Sequence, residues 1–248
     1  MSYTDLEFEL FSRQFILKDY TNEKIDKLEN LKITIVGLGG IGCPLSLYLI
    51  ASGVKNLTII DGDKIEKSNL NRQILFSIND LNKQKVDVAK NRLQKINPNA
   101  NIQIINENIK KSNISILFNS SIIIDTTDDW NNTKIINEYC SIHALKFIFC
   151  SVIGNDVQLG LFDNNKKHHI CLNCLFPNKN DIDLPRCEKV GVNGIAAGIA
   201  GLLAAQKTLN YLLNFNKEVN IITLFDVKKN NVNKIRVKKN NKCYLNNI

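Results

Sequence analysis

The feature that most constrains this chain is a glycine-rich turn, Gly37-Leu-Gly39-Gly40-Ile-Gly42. It sits directly after the apolar run Lys32–Val36 and opens a helical stretch from Ile41 to Ser52. Glycines make a tight turn and let backbone approach a phosphate, while a helix N-terminus offers free N–H groups and partial positive charge. Asp61 closes the next apolar run, Leu57–Ile60, and a carboxylate there can bind ribose hydroxyls. A glycine turn alone could serve only close helix–strand packing. With strand, helix and acid all placed, the pattern predicts nucleotide binding. Gly37, Gly39, Gly40, Gly42 and Asp61 are its candidate residues, and because NAD commonly occupies such a turn, an oxidoreductase is the first reading to test.

The rest of the chain fits that start. Residues 5–29 read as one or two helices. Val86–Ile96 has helical spacing and stops at Asn97-Pro98, and Asn131–His143 is a further helix. Ile102–Ile105, Ser121–Ile124 and Phe147–Cys150 read as strands. This alternation predicts an α/β fold with a doubly wound, mainly parallel Rossmann-like sheet over residues 1–150, the nucleotide-binding half. From Val157 the pattern becomes strand-like pieces (Val157–Phe162, Ile221–Phe225, Val232–Val237) around one long helix over 193–213. A mixed, antiparallel C-terminal extension is therefore expected over 151–248, within a single domain 1–248. Small residues at Gly191, Gly194, Gly198 and Gly201 predict close helix packing. The longest apolar stretch, Gly194 to Ala205, is well short of the roughly 20 residues of a membrane span, and the first 30 residues lack the pattern of an export signal.

Of the 248 residues, 32 are Lys or Arg and 24 Asp or Glu, a formal charge of +8. The 27 lysines are spread through every segment, with one small knot from Lys228 to Lys242, and there are only five arginines. A reader of nucleic acid clusters its charge and favours the planar fork of arginine, so the charge reads as a lysine-rich surface: no nucleic acid and no membrane is expected as partner. Seven cysteines, odd in number and without an export signal, suggest reduced thiols and a cytoplasmic location. Cys43, Cys140 and Cys150 fall on apolar positions and read as core thiols.

Other residues argue against hydride transfer. Asp61-Gly-Asp63, Ser68-Asn69-Leu70-Asn71-Arg72-Gln73, Lys85 and Asp125-Thr-Thr-Asp128-Asp129-Trp130 are all expected at the carboxyl ends of strands, around the nucleotide crevice. Singly, Arg72 or Lys85 could be a surface ion pair. Together with Asp128 they suit a magnesium-bound triphosphate and the stabilisation of its transfer.

These segments resemble the ThiF/MoeB family, relatives of the ubiquitin-activating enzymes. The likeness is carried by Phe11-Ser-Arg13-Gln14, the glycine turn, Asp61-Gly-Asp63, Ser68-Asn-Leu-Asn-Arg-Gln-Ile-Leu-Phe76, Lys85, Asp125-Thr-Thr-Asp128, Cys171-Leu-Asn-Cys174 and Cys187-Glu-Lys-Val-Gly191. It spans nearly the whole chain, and the Ser68–Phe76 segment is its most specific part. The resemblance implies an enzyme that adenylates the C-terminal glycine carboxylate of a ubiquitin-like sulfur-carrier protein, with ATP and Mg²⁺ bound and pyrophosphate released. A ThiS-type carrier of thiamine thiazole formation is the first expectation, favoured by the Cys187 context and compact length, and a MoaD-type carrier of molybdopterin formation the second. By that analogy Gly40, Asp61, Ser68 to Arg72, Lys85 and Asp128 hold ATP: Asp61 at the ribose, Asp128 at the magnesium, Arg72 and Lys85 at the phosphates. Asn69 orients the phosphates or the carrier tail, and Arg13 acts from the neighbouring subunit of a homodimer. Without a sulfurtransferase domain after residue 248, sulfur is expected from a separate donor protein.

The cysteines depart from the family pattern. Cys171-x-x-Cys174 is a zinc half-site by spacing, and the resemblance implies a second pair near the C-terminus. Here that segment reads Cys243-Tyr-Leu-Asn246, so Zn²⁺ has three expected ligands, Cys171, Cys174 and Cys243. His168 or His169, or a water, could supply a fourth, or the metal could be lost. Cys187 follows Pro185-Arg186, where Arg186 and Lys189 favour the nucleophilic thiolate. The resemblance implies a sulfur-handling role for it.

Overall fold

A computed structural model describes residues 3–164, 170–177 and 191–247. The β-branched apolar runs form strands β1 (Lys32–Val36), β2 (Asn56–Ile60), β3 (Asn101–Ile105), β4 (Ile122–Asp125), β5 (Lys146–Ile153), β6 (Asp156–Asp163), β7 (Ile221–Asp226) and β8 (Asn231–Arg236). They build one sheet in the order β3-β2-β1-β4-β5-β6-β7-β8. The first five strands pair in parallel and the rest antiparallel. The helices are α1 (Asp5–Phe15), α2 (Asn22–Asn30), α3 (Gly42–Ala51), α4 (Lys85–Ile96), α5 (Trp130–Ile142), a single turn α6 (Leu172–Leu175) and α7 (Gly194–Leu212). This is the doubly wound sheet with an antiparallel extension that the sequence predicts.

The order places a reversal between β1 and β4. From β1 the chain winds outward to β2 and β3, then crosses back to β4 on the other side. Val36 is level with both Ile60 and Asp125, so the loops after β1, β2 and β4 open at one edge. A crevice at such a reversal is where an open α/β sheet binds ligands.

Both faces of the central strands are covered, which is why Ile122, Ile123 and Ile124 are all buried without alternation. Ile33, Ile35, Ile122, Ile124 and Cys150 pack with buried side chains of α3, α4 and α7. Val36, Ile123 and Phe147 face the other way, with residues of α5 and the Cys171–Cys174 turn. Gly201 explains part of the small-residue spacing. A Cβ there would stand 2.5 Å from the Ile41 carbonyl oxygen and 2.6 Å from Pro44 Cγ, so only glycine lets α7 lie this close to α3.

α1 begins with a reciprocal cap between Thr4 and Glu7. Its apolar side joins Tyr3, Phe11 and Ile25 in a small separate cluster, and Gln14 Nε2 donates to the Ser52 carbonyl at 2.8 Å. At the far edge, every residue of β8 is exposed, Lys234 and Arg236 among them. Among the described residues no helix is long and apolar enough to cross a membrane.

Candidate active site

At the reversal a cleft of about 1480 Å³ opens. Its floor is the glycine turn. Gly37 has φ +92°, and a Cβ on it would lie 3.1 Å from the backbone of Thr126 and Thr127. The turn after β1 and the turn after β4 are therefore pressed together. Thr126 Oγ1 donates to the Gly37 carbonyl at 2.7 Å and locks them. Gly39 faces open space in the cleft, whereas Gly40 is backed by Arg72 Cγ and Ala197 Cβ at 3.1 Å. Gly42, expected to touch nucleotide, does not line the cleft. A Cβ there would meet the Gly37 carbonyl oxygen at 2.2 Å, so its glycine serves the first turn of α3.

Asp61 is buried at the end of β2. Its two carboxylate oxygens accept the N–H groups of Leu38 at 2.6 Å and Asp63 at 2.9 Å. Burial raises its pKa, with Lys85 and those backbone bonds opposing. Lys85, the buried first residue of α4, places Nζ 2.8 Å from Asp63 Oδ2 and 3.8 Å from Asp61 Oδ1. Ser68 and Asn69 lie on a short 3₁₀ turn whose conformation is fixed by the Asn69 side chain accepting from Glu66 N at 3.3 Å. Arg72 is steadied by donation to the Ser68 carbonyl at 3.0 Å and to Asn71 Oδ1 at 3.1 Å. Ser68, Asn69, Asn71, Arg72 and Lys85 all line the cleft, while Leu70 packs against the core instead.

On the opposite wall, buried Asp125 accepts from Thr127 N at 2.9 Å, Thr127 Oγ1 at 2.7 Å and Thr133 Oγ1 at 2.5 Å. It organises the loop that presents Asp128. Burial pushes its pKa up to about 6 against those bonds. Asp128 is exposed at the cleft, and Asp129 both lines it and caps α5 by accepting Asn131 N at 2.8 Å. Arg13 lies exposed on α1 and does not line its own chain's cleft.

Among the other lining residues, Trp130 and Gln73 close segments expected at the crevice, while Asn108, Ile109 and Phe149 carried no sequence signal of their own. Asn108, after β3, accepts from Gly62 N at 3.1 Å, and Ile109 lies beside it. Trp130, Phe149 and Phe176 form an aromatic wall. Gln73 is buried, and its Oε1 has no partner. Its place in the Arg72-Gln73 pair was the one available clue.

Away from the cleft, Cys171, Cys174 and Cys243 are buried with their sulfurs within 4.8 Å of one another. The Cys171 and Cys243 sulfurs are 3.7 Å apart across 72 residues of sequence. Three thiols so placed, two of them on one turn, are a donor set that fits Zn²⁺. The described side chains add no fourth ligand to this group. Cys187, His168, His169 and the side chain of Asn246 lie outside the described residues. Cys43, Cys140 and Cys150 are fully buried, and burial pushes each thiol upward, as inert core thiols require.

With this geometry in view, the ThiF family model matches residues 11–245. The chain belongs to the ThiF family. A probable molybdopterin-synthase adenylyltransferase of Gracilaria tenuistipitata var. liui is 32% identical over 86% of this chain and 59% of its own length. The chain thus spans less than two thirds of that relative. Bacterial relatives are matched over more of their length. The molybdopterin-synthase adenylyltransferase of Haemophilus influenzae is 33% identical over 84% of this chain and 85% of its own. The sulfur carrier protein ThiS adenylyltransferase of Escherichia coli is 30% identical over 84% and 82%. Among solved structures, Escherichia coli MccB with ATP superposes with a TM-score of 0.80 at 22% identity, covering 100% of this chain and 83% of that one. At that identity the likeness is one of fold.

Proposed function

We propose that this ThiF-family chain is an adenylyltransferase: it joins the C-terminal carboxylate of a ubiquitin-like sulfur-carrier protein to AMP from ATP. The observation that carries the reading is the convergence of Gly39, Asp61, Arg72, Lys85 and Asp128 on one cleft at the sheet reversal. The relatives' names supply the reaction class, and the cleft supplies groups suited to each part of ATP. Open backbone at Gly39 and Gly40 suits the phosphates. Asp61 suits the ribose, with Asp63 beside it and Asp129 on the opposite wall of the cleft. Arg72 and Lys85 are the cations for a triphosphate, and Ser68, Asn69 and Asn71 border its path.

In the reaction a carboxylate oxygen of the carrier attacks the α-phosphorus, and the bond from that phosphorus to the bridging oxygen breaks. Pyrophosphate leaves with the electron pair. No protein group needs to form a bond to substrate in this step. The chain aligns attacker and leaving group, and Arg72 and Lys85 neutralise charge that builds on the departing oxygens. Lys85 must exchange Asp63 for phosphate to do so. The Asp128 carboxylate, exposed at the cleft, would hold Mg²⁺, whose charge would offset further phosphate charge. Arg13, exposed and remote from its own cleft, is assigned to the cleft of a second copy in a homodimer. Cys187 is assigned to sulfur handling after adenylation, with sulfur from a separate donor protein. The setting is the cytoplasm.

Between carriers, we favour the ThiS type of thiamine thiazole formation. A MoaD-type carrier of molybdopterin formation is the second reading, favoured by the 33% identity to the Haemophilus influenzae enzyme. Pyrophosphate–ATP exchange run in parallel with both carrier types decides. Exchange with neither carrier, or exchange unchanged by Asp128→Ala, overturns the adenylation reading.

A further inference from the structure

The three-thiol cluster and the cleft are joined by packed residues of α5 and α6, since Trp130 and Phe176 line the cleft and pack in one cluster with Cys171, Cys174 and Cys243. Cys171 caps the start of α6 and Phe176 caps its end, with Phe176 N donating to the Leu172 carbonyl at 3.2 Å. The Phe176 ring meets Trp130 edge-on at 5.1 Å between centroids, and Trp130 meets Phe149 at 6.4 Å in the same manner. All three rings line the cleft. Trp130 is also the first residue of α5, directly after Asp128-Asp129. A second strut runs beside the rings: Leu172 N donates to Asn137 Oδ1 of α5 at 3.0 Å.

We propose that Phe176 and Trp130 are positioning residues that couple Zn²⁺ at the Cys171–Cys174–Cys243 cluster to nucleotide binding in the cleft. A metal that draws Cys171, Cys174 and Cys243 to one centre fixes both ends of the α6 turn against the C-terminal segment. Phe176 leaves that turn two residues after Cys174, so its ring can take only the orientations the turn allows. Trp130 packs on that ring, and the Asp128-Asp129 corner leads into Trp130. With the metal gone, the Asn137 bond to Leu172 N and the Asn240 bond to the Cys174 carbonyl at 3.2 Å still hold the turn, but the sulfurs are joined only by weak thiol contacts such as that between Cys171 and Cys243 at 3.7 Å. The nucleotide then has to order the aromatic wall itself. Linkage requires the reverse effect of equal size: nucleotide must tighten zinc.

The proposal rests on the cleft binding nucleotide. Trp130 is the sole tryptophan of the chain, so its emission reports the wall directly. The test uses the full chain, zinc-loaded and chelator-stripped, titrated with a non-hydrolysable ATP analogue while Trp130 emission is followed. Expected is tighter binding by about fivefold or more in the loaded form, with a different Trp130 emission in the two forms. Phe176→Ala should bring the loaded and stripped affinities together, and Phe176→Tyr, which keeps a ring, should restore their difference. Equal affinities in the native chain, a difference that survives Phe176→Ala, or failure to take up zinc overturns the coupling and leaves the adenylation reading standing. Absence of nucleotide binding in both forms overturns both.

Discussion

Lys85 Nζ sits 2.8 Å from the carboxylate of Asp63 although Lys85 is buried and the Asp63 side chain is 58% exposed. The amine is thus held at the cleft by an anion that water can reach, with buried Asp61 behind it at 3.8 Å. Lys85→Ala leaves Asp61 without its cation. Removing one member of a buried pair costs on the order of 3 kcal/mol, so urea unfolding should show a large loss along with loss of pyrophosphate exchange. Asp63→Asn leaves the Lys85–Asp61 pair in place, and its unfolding should change by no more than about 1 kcal/mol.

Gly37 and Gly39 separate folding from binding. Gly37→Ala forces a side chain into φ +92° and into Thr126 and Thr127 at 3.1 Å, a strain of about 1 to 3 kcal/mol that a melting curve would register. Gly39→Ala meets nothing within 4 Å. It should fold normally yet weaken nucleotide by about tenfold, since its methyl stands where phosphate would approach. Isothermal titration of both variants checks the contrast.

Arg72 and Arg13 test the use of arginine in a chain rich in lysine. Arg72→Lys keeps the charge but loses the planar guanidinium, one of whose nitrogens donates to both the Ser68 carbonyl and Asn71 Oδ1, and exchange should fall by about tenfold or more. Arg13→Lys should also lose activity, but through the partner copy. Mixing Arg13→Ala with Asp128→Ala, each inactive alone, should restore about a quarter of native exchange, because half of randomly formed dimers then carry one complete site. A mixture as inactive as its parts would remove Arg13 from the site.

Asp125 gives a signed pH effect. Its pKa rises from 3.8 to about 6 on folding because it is buried. Between those values the folded chain keeps a proton that the unfolded chain has released. Its contribution to stability is therefore full below about pH 4, falls as pH rises to about 6, and the total change is about 3 kcal/mol. The difference in unfolding free energy between the native chain and Asp125→Asn, measured from pH 4 to 7, should follow that slope.

The parts of the fold set by local pattern could be read in the sequence. Ile33–Val36 and Ile122–Ile124 are buried without alternation because both their faces are covered, and the glycine turn sits where a crossing strand ends. β5 runs on to Ile153, three residues past the apolar stretch, because β6 pairs back along it from Asp156. A hairpin partner is not visible from one strand's composition. Gly42 and Leu70 share motifs with cleft-lining neighbours, but Gly42 is pressed on the Gly37 carbonyl and Leu70 packs against the core, and sequence spacing reveals neither contact. Of the aromatic wall only Trp130, at the end of the Asp125–Trp130 segment, was legible. Trp130, Phe149 and Phe176 come from three separate elements, and only the packing of α6 on α5 brings them together. The approach of Cys243 to Cys171 was legible only through resemblance to a family.

The sheet's last strand has one more consequence. β8 offers solvent an unpaired backbone edge, and Lys234 and Arg236 stand along it. An approaching strand would have to disturb the Lys234–Glu218 ion pair at 2.8 Å and desolvate Arg236. Charge along this rim therefore disfavours a further strand, and added salt should weaken that protection and leave exposed Val232 and Ile235 as the surface that copies share.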